Sequence, residues 1–196
     1  YAQRLSKPLP KHLRDEEVVI LLKAMETKRD EAMFRLMLRT GLRVSELANI
    51  SMRAIDVRRR RILVENGKGA KDRIVYISDD ALRALGEYLK VRPCSKAKKL
   101  FLVERGIHRG KPISVRGIQK RMEYYAKKTG LTVSCHHLRH TMATQMLNAD
   151  SDLVTIQDLL GHTRIRTTER YWKLSNVKVQ RDYFKAMQHV LSRSSP

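Results

Sequence analysis

Two short runs, RILVEN at 61–66 and RIVYIS at 73–78, limit what this chain can fold into. Both are rich in β-branched residues, both alternate, and GKGAKD lies between them. That pattern predicts an antiparallel hairpin with a basic tip. Most of the remaining chain has helical spacing. EEVVILLKAM begins with acidic residues suited to a helix N-terminus, and DEAMFRLMLRTG ends at Gly41, a natural C-cap. RVSELANI reads as a short helix, and longer ones are expected at DDALRALGEYLKV, SVRGIQKRMEYYAKKTG, LRHTMATQMLNA and VTIQDLLG. The tail NVKVQRDYFKAMQHVLSR sets Val179, Tyr183, Met187, Val190 and Leu191 near one helical face. With KLFLV at 99–103 as a candidate third strand, the expected class is α+β, mostly helical with a small antiparallel three-stranded sheet.

Charge narrows the partners. Forty-one Lys and Arg oppose 20 Asp and Glu, a formal net charge of +21 over 196 residues. Such an excess calls for a polyanion, and nucleic acid is the commonest. A membrane surface fits less well, because the basic residues are spread along the chain and do not line one amphipathic helix. No apolar stretch is long enough to span a bilayer. Cys94 and Cys135 are too few and too far apart for a disulfide framework or a zinc site, which points to a reducing, cytoplasmic setting. The opening YAQRLSKPLP, without an initiator Met and with Pro8 and Pro10, reads as a linker over residues 1–14.

Four clusters carry chemistry. TGLRVSEL places Arg43 at the start of a short helix, with Glu46 one turn on to hold its guanidinium. GKGAKDR puts Lys68 and Lys71 on a glycine-flanked turn that a ligand can approach closely, but it lacks the GxxxxGK[ST] pattern, so ATP is not implied. In SCHHLRHTMATQML, His136 and Arg139 fall on one face of a helical turn and make a clamp for phosphate oxygens. A metal held by His136 and His140 is the rival reading; the zinc-protease pattern is missing, no metal is expected, and His140 is expected to support the site from behind. LLGHTRIRTTERYWKL supplies His162 and, nine residues later, Tyr171 among arginines.

In this order the clusters resemble the tyrosine recombinases, the family of phage integrases and Xer-type recombinases. The resemblance covers roughly residues 15–175, which it implies are a catalytic domain. It implies that Arg43 and Arg139 grip the scissile phosphate with His136 and His162 beside them, that Lys68 protonates the leaving 5′-oxygen, and that Tyr171 is the nucleophile. The turn before Lys68 is a residue longer than in many relatives, which leaves Lys71 as the alternative acid. Glu46 and His140 would stand behind the site, and Lys71, Arg73, Arg164, Arg166 and Arg170 would face double-stranded DNA. The family also implies an N-terminal DNA-binding domain joined through residues 1–14, and a tetramer on paired sites that exchanges strands through a Holliday junction. The C-terminal helix, 176–196, would dock on its own domain or, as the family often does, on a neighbouring protomer. A cytoplasmic, nucleoid-associated protein without cofactors is the expectation.

The residue types suit that chemistry. A phosphodiester repels nucleophiles, and attack builds charge that two planar guanidinium forks can neutralise without metal. A phenol is mostly protonated at neutral pH, and surrounding cations favour its phenolate, with His136 placed to accept the proton. Alternatives remain at this level: type IB topoisomerase-like strand passage, a noncatalytic basic nucleic-acid-binding module, or RNA binding, against which the scarcity of strand aromatics argues. Tyr76, Tyr88, Tyr124, Tyr125 and Tyr183 are expected in core or boundary roles, and Trp172 packing the Tyr171 helix. The run RRRR at 58–61, leading into an edge strand, reads equally as a DNA-backbone contact or a solvated face.

Overall fold

Thr27 accepts a hydrogen bond from the Asp30 amide, and from this cap one helix runs through the middle of the molecule to the left-handed Gly41. In the computed structural model the described residues are 11–65, 72–161 and 169–193, the last stretch with side chains only from Val179 onward. Lys68, Lys71, His162, Arg164 and Arg166 therefore lie outside the described residues, and Arg170, Tyr171 and Trp172 are described by backbone alone.

The order is α1 (Asp15–Lys23), α2 (Lys28–Thr40), α3 (Val44–Asn49), a 3-10 turn at Met52–Ala54, strands β1 (Ile55–Asp56), β2 (Arg61–Val64) and β3 (Arg73–Tyr76), then α4 (Asp79–Val91), α5 (Val115–Thr129), α6 (Cys135–Asn148), α7 (Leu153–Leu160) and α8 (Glu169–Arg193). The sheet is antiparallel in the order β1-β2-β3, with Ile62 opposite Val75 and Ile55 opposite Ile62. The fold class expected from the sequence is the one observed. Among the described residues no helix is long and apolar enough to cross a membrane. Leu13, within the stretch expected to be a linker, is buried, and its amide donates to Thr141 Oγ1 at 2.9 Å.

The third strand is not the expected one. KLFLV forms only isolated bridges, Ser51 with Lys99 and Leu102 with Pro112, and Ile55–Asp56 completes the sheet. Leu100, Phe101 and Leu102 are buried as their apolar character requires. Side chains satisfy much of their backbone: Tyr88 accepts from the Leu102 amide and donates to the Leu100 carbonyl, while Arg92 donates to the carbonyls of Ala97, Lys99 and Leu100. Their backbone polar groups thus find partners without a full ladder. β2 is also central, so RRRR does not lead into an edge. Arg59 and Arg61 both donate to Asp56, and Arg60 pairs with Asp79 and lies 4.5 Å over the Phe184 ring.

Helix α2 is buried along most of its length and carries a charge network at each end. At its start, the fully buried Asp30 carboxylate accepts from Arg29, Arg121 and Tyr125. At its end, Arg39, 1% exposed, donates to Asp80 at 3.0 Å and to Gln145 at 3.4 Å. The larger apolar core spreads from α1 and α2 to the sheet, α4 and α5. A second core gathers Tyr76, Met142, Met146, Ile156, Leu159 and Leu160 around Val179, Tyr183, Met187 and Val190 of α8. The tail face offered for docking on a neighbour is buried against its own chain here, with the Tyr183 hydroxyl donating to the Arg39 carbonyl at 2.9 Å. Tyr76, Tyr88, Tyr125 and Tyr183 are core residues, and Tyr124 is exposed at the boundary.

Asp80 resists protonation. Burial alone raises its pKa, but Arg39, Ser78 and Arg35 outweigh burial and leave it below the ordinary 3.8. The stability it contributes is therefore complete above that value and is lost as pH falls through the depressed one. Asp80→Asn, which leaves the Arg39 cation buried and unpaired, is expected to cost about 3–5 kcal/mol at neutral pH. It should also flatten the acid limb of a urea-unfolding series. A variant with wild-type stability at pH 7 would show that the Arg39 pair is not structural.

Candidate active site

The TGLR turn is held in place from two sides. Gly41 has φ +70°, and a Cβ there would lie 2.6 Å from Leu160 Cδ2, so the chain needs glycine both for its conformation and for the approach of α7. Arg139 projects from α6 into this junction. Its Nη1 donates to the Gly41 carbonyl and its Nη2 to the Leu160 carbonyl, both at 2.6 Å. One buried guanidinium thus ties the turn that carries Arg43 to the end of α7, directly before Gly161 and His162.

Beside it, Glu46 collects the other cations. Its oxygens accept the Arg43 amide at 2.8 Å and the Arg43 Nη1 at 3.2 Å. They also accept both Nη atoms of Arg73, at 2.6 and 2.8 Å, a bidentate fork. Arg73 Nε completes its bonding on the Leu159 carbonyl at 2.8 Å. Burial raises the Glu46 carboxyl, yet the bonds and charges of Arg73 and Arg43 hold it below the usual 4.5. It is ionised at neutral pH.

Arg73 therefore needs correction. The sequence reading put it on the DNA-facing surface, but its side chain is 8% exposed and closed on Glu46 and α7. The signal was in the alternation: Arg73 shares a strand face with the buried Val75, so the pleat turns it inward. Its task is to position Glu46, and through it the backbone of Arg43. Gly161 belongs to the same arrangement, since a Cβ there would sit 3.0 Å from Arg73 Cδ.

The charge balance is uneven. Arg43, Arg73 and Arg139 surround one carboxylate, and among the described residues Arg139 makes no ion pair. Burial, with the charges of Arg43 and Arg73 nearby, pulls the Arg139 pKa down to about 10. It remains a cation at neutral pH, with carbonyl dipoles as its partners. The Arg43 side chain is about half exposed, at 49%, and open to solvent.

His136 stands one turn before Arg139 on the same helix and is exposed. His140 is half-buried and meets it directly: the two Nε2 atoms are 2.8 Å apart, with the rings edge to face. The expectation that His140 backs His136 is thus a geometric contact. Cys135, next to His136, is no rival nucleophile, because burial pushes its thiol up to about 11. The structure brings Arg43, Glu46, Arg139, His136 and His140 into the α2–α3 and α6 region. The histidine, lysines and tyrosine expected to complete the site fall outside the described side chains.

The structure is thus a helical domain with a three-stranded sheet whose Arg43 and Arg73 meet on the one carboxylate of Glu46. Residues 11–177 match the phage integrase family, and the chain belongs to that family. It is 37% identical over 172 residues to the tyrosine recombinase XerA of Pyrococcus horikoshii, covering 88% of this chain and 60% of that protein. It is 40% identical over 194 residues to the tyrosine recombinase XerC of Histophilus somni, covering 94% of this chain and 64% of that one. The fold is similar to a crystal structure of XerA recombinase, with a TM-score of 0.74 at 28% identity over 97% of this chain and 67% of that chain.

An anion bound at Arg139 should stabilise the protein. With sulfate at about 100 times its dissociation constant, the gain is about 2.7 kcal/mol. Thermal melts in sulfate against chloride at matched ionic strength are expected to separate wild type from Arg139→Met, which should lose most of the sulfate-specific rise. An identical response from both proteins would place the anion elsewhere.

Proposed function

We propose that this chain is the catalytic part of a site-specific DNA recombinase that cuts and rejoins strands through a covalent 3′-phosphotyrosine on Tyr171, without ATP or metal. The observation that carries this reading is the buried Arg139 cation, held beside Arg43 and lacking any carboxylate of its own among the described residues. A scissile phosphate supplies the missing negative charge. Arg43 and Arg139 then neutralise the equatorial oxygens of the five-coordinate transition state, and Glu46, braced by Arg73, keeps the Arg43 turn in place. No energy source is needed, because one phosphoester is exchanged for another of similar energy.

In this reading His136 accepts the phenol proton or bonds the phosphate, and His162, two residues beyond α7 in the sequence, assists. Lys68, or Lys71 beside it, protonates the leaving 5′-oxygen. The partner is double-stranded DNA, contacted also by Arg164, Arg166 and Arg170, and full recombination runs in a tetramer on paired sites. Membership of the phage integrase family, and the naming of both relatives as tyrosine recombinases, support the assignment. The reaction would take place at the nucleoid.

The test uses nicked suicide DNA carrying a recombination site, with the chain and any adjoining domains intact. A shifted, SDS-resistant and protease-sensitive adduct is expected from wild type and none from Tyr171→Phe. Arg139→Ala or Arg43→Ala should slow adduct formation by about 10²–10³-fold. An adduct that persists in the Tyr171→Phe variant would exclude Tyr171 as nucleophile, and DNA binding without any adduct would reduce the protein to a binding module.

A further inference from the structure

The contact between His136 and His140 has a second chemical use. Both imidazoles project from one face of α6, four residues apart, and their Nε2 atoms share a hydrogen bond of 2.8 Å. A tetrahedral Zn2+ with Zn–N bonds of about 2.0–2.1 Å holds two nitrogens roughly 3.3 Å apart. Small side-chain rotations that part the nitrogens by about half an ångström, with the donor ring's proton moving from Nε2 to Nδ1, admit the ion. We infer that His136 and His140 form a two-histidine clamp for a borderline-soft divalent cation such as Zn2+, and that the bound cation withdraws His136 from a DNA phosphate.

The surroundings set the character of such a site. His140 is half-buried, and the titratable and charged groups around it are His136, His137, Arg139 and His12. The same positive surroundings weaken the attraction for any cation. Among the described residues no set of three or more His, Cys, Asp and Glu side chains converges on a common point, so water would fill the remaining positions. Neutral nitrogen donors without carboxylates select Zn2+ over Mg2+, which keeps oxygen ligands and water. His137 adjoins the pair in sequence, yet its Nδ1 is buried and makes no hydrogen bond among the described residues. It therefore serves as the control position.

The clamp is an inhibitory device, and the cation takes no part in strand exchange. Its effect on DNA chemistry rests on the function proposed above, whereas cation binding does not. The experiment has two arms, both in a Cys94→Ser background to remove an exposed competing thiol. Calorimetric titration of ZnCl2 into chelator-stripped protein is expected to show a binding event weakened at least tenfold by His136→Ala and by His140→Ala, retained in His137→Ala, and absent with MgCl2. Equal zinc binding by wild type and His140→Ala, or no zinc heat at all, would overturn the clamp. In the second arm, Zn2+ should slow adduct formation on nicked DNA and a chelator should restore it, each variant being compared with its own zinc-free rate. Zinc that binds at the pair but leaves that rate unchanged would overturn the inhibitory half. If no adduct forms under any condition, the recombinase reading fails, while the calorimetry still decides the clamp.

Discussion

Both arms of the Arg139 guanidinium end on main-chain carbonyls, one at Gly41 and one at Leu160, and the site's geometry depends on that bridge. A lysine in its place would offer a point charge and no planar fork to span two carbonyls. The bridge fixes the distance between the turn before α3 and the end of α7, which are far apart in sequence. It also leaves the guanidinium charge without a counter-ion among the described residues. Carbonyl dipoles partly offset the loss of hydration, but a formal anion would do so far better.

The supporting structure repeats this theme with the charges balanced. Asp30 at the start of α2 is matched by Arg29 and Arg121, and Arg39 at its end by Asp80. Those networks are closed, with carboxylates available for their guanidinium groups. Glu46 closes a third network by taking the Arg73 fork and the Arg43 amide together. Against that background the Arg139 cation is the exception. Helix α8 reaches the same frame from outside: the Tyr183 hydroxyl bonds the Arg39 carbonyl two residues before Gly41. The segment bearing Tyr171 is continuous with a helix rooted beside the arginine turn.

Much of this was legible in the residues. Helical spacing located the helices, with Gly41 ending α2 as its backbone freedom suggests, and alternation located β2 and β3. The pairing of Arg43 with Glu46 followed from a three-residue offset at a helix start, and the contact of His136 with His140 from a four-residue one. The failures have a common physical cause. KLFLV has strand-like composition, but Tyr88 and Arg92 satisfy much of its backbone, and no sequence pattern shows which side chains will do so. Arg73 was read by its charge when its strand register had already turned it inward.

Local physics, then, was enough to name the helices and the β2–β3 hairpin, because periodicity, capping and short-range offsets act within a few residues. Two matters were visible only in the packing: Arg73 as the brace of Glu46 and Arg139 as a bridge between two carbonyls. Each depends on partners brought together from distant parts of the chain. Burial there turns a charge from a solvated group into one that must find a partner, and only the folded arrangement determines which partner that is.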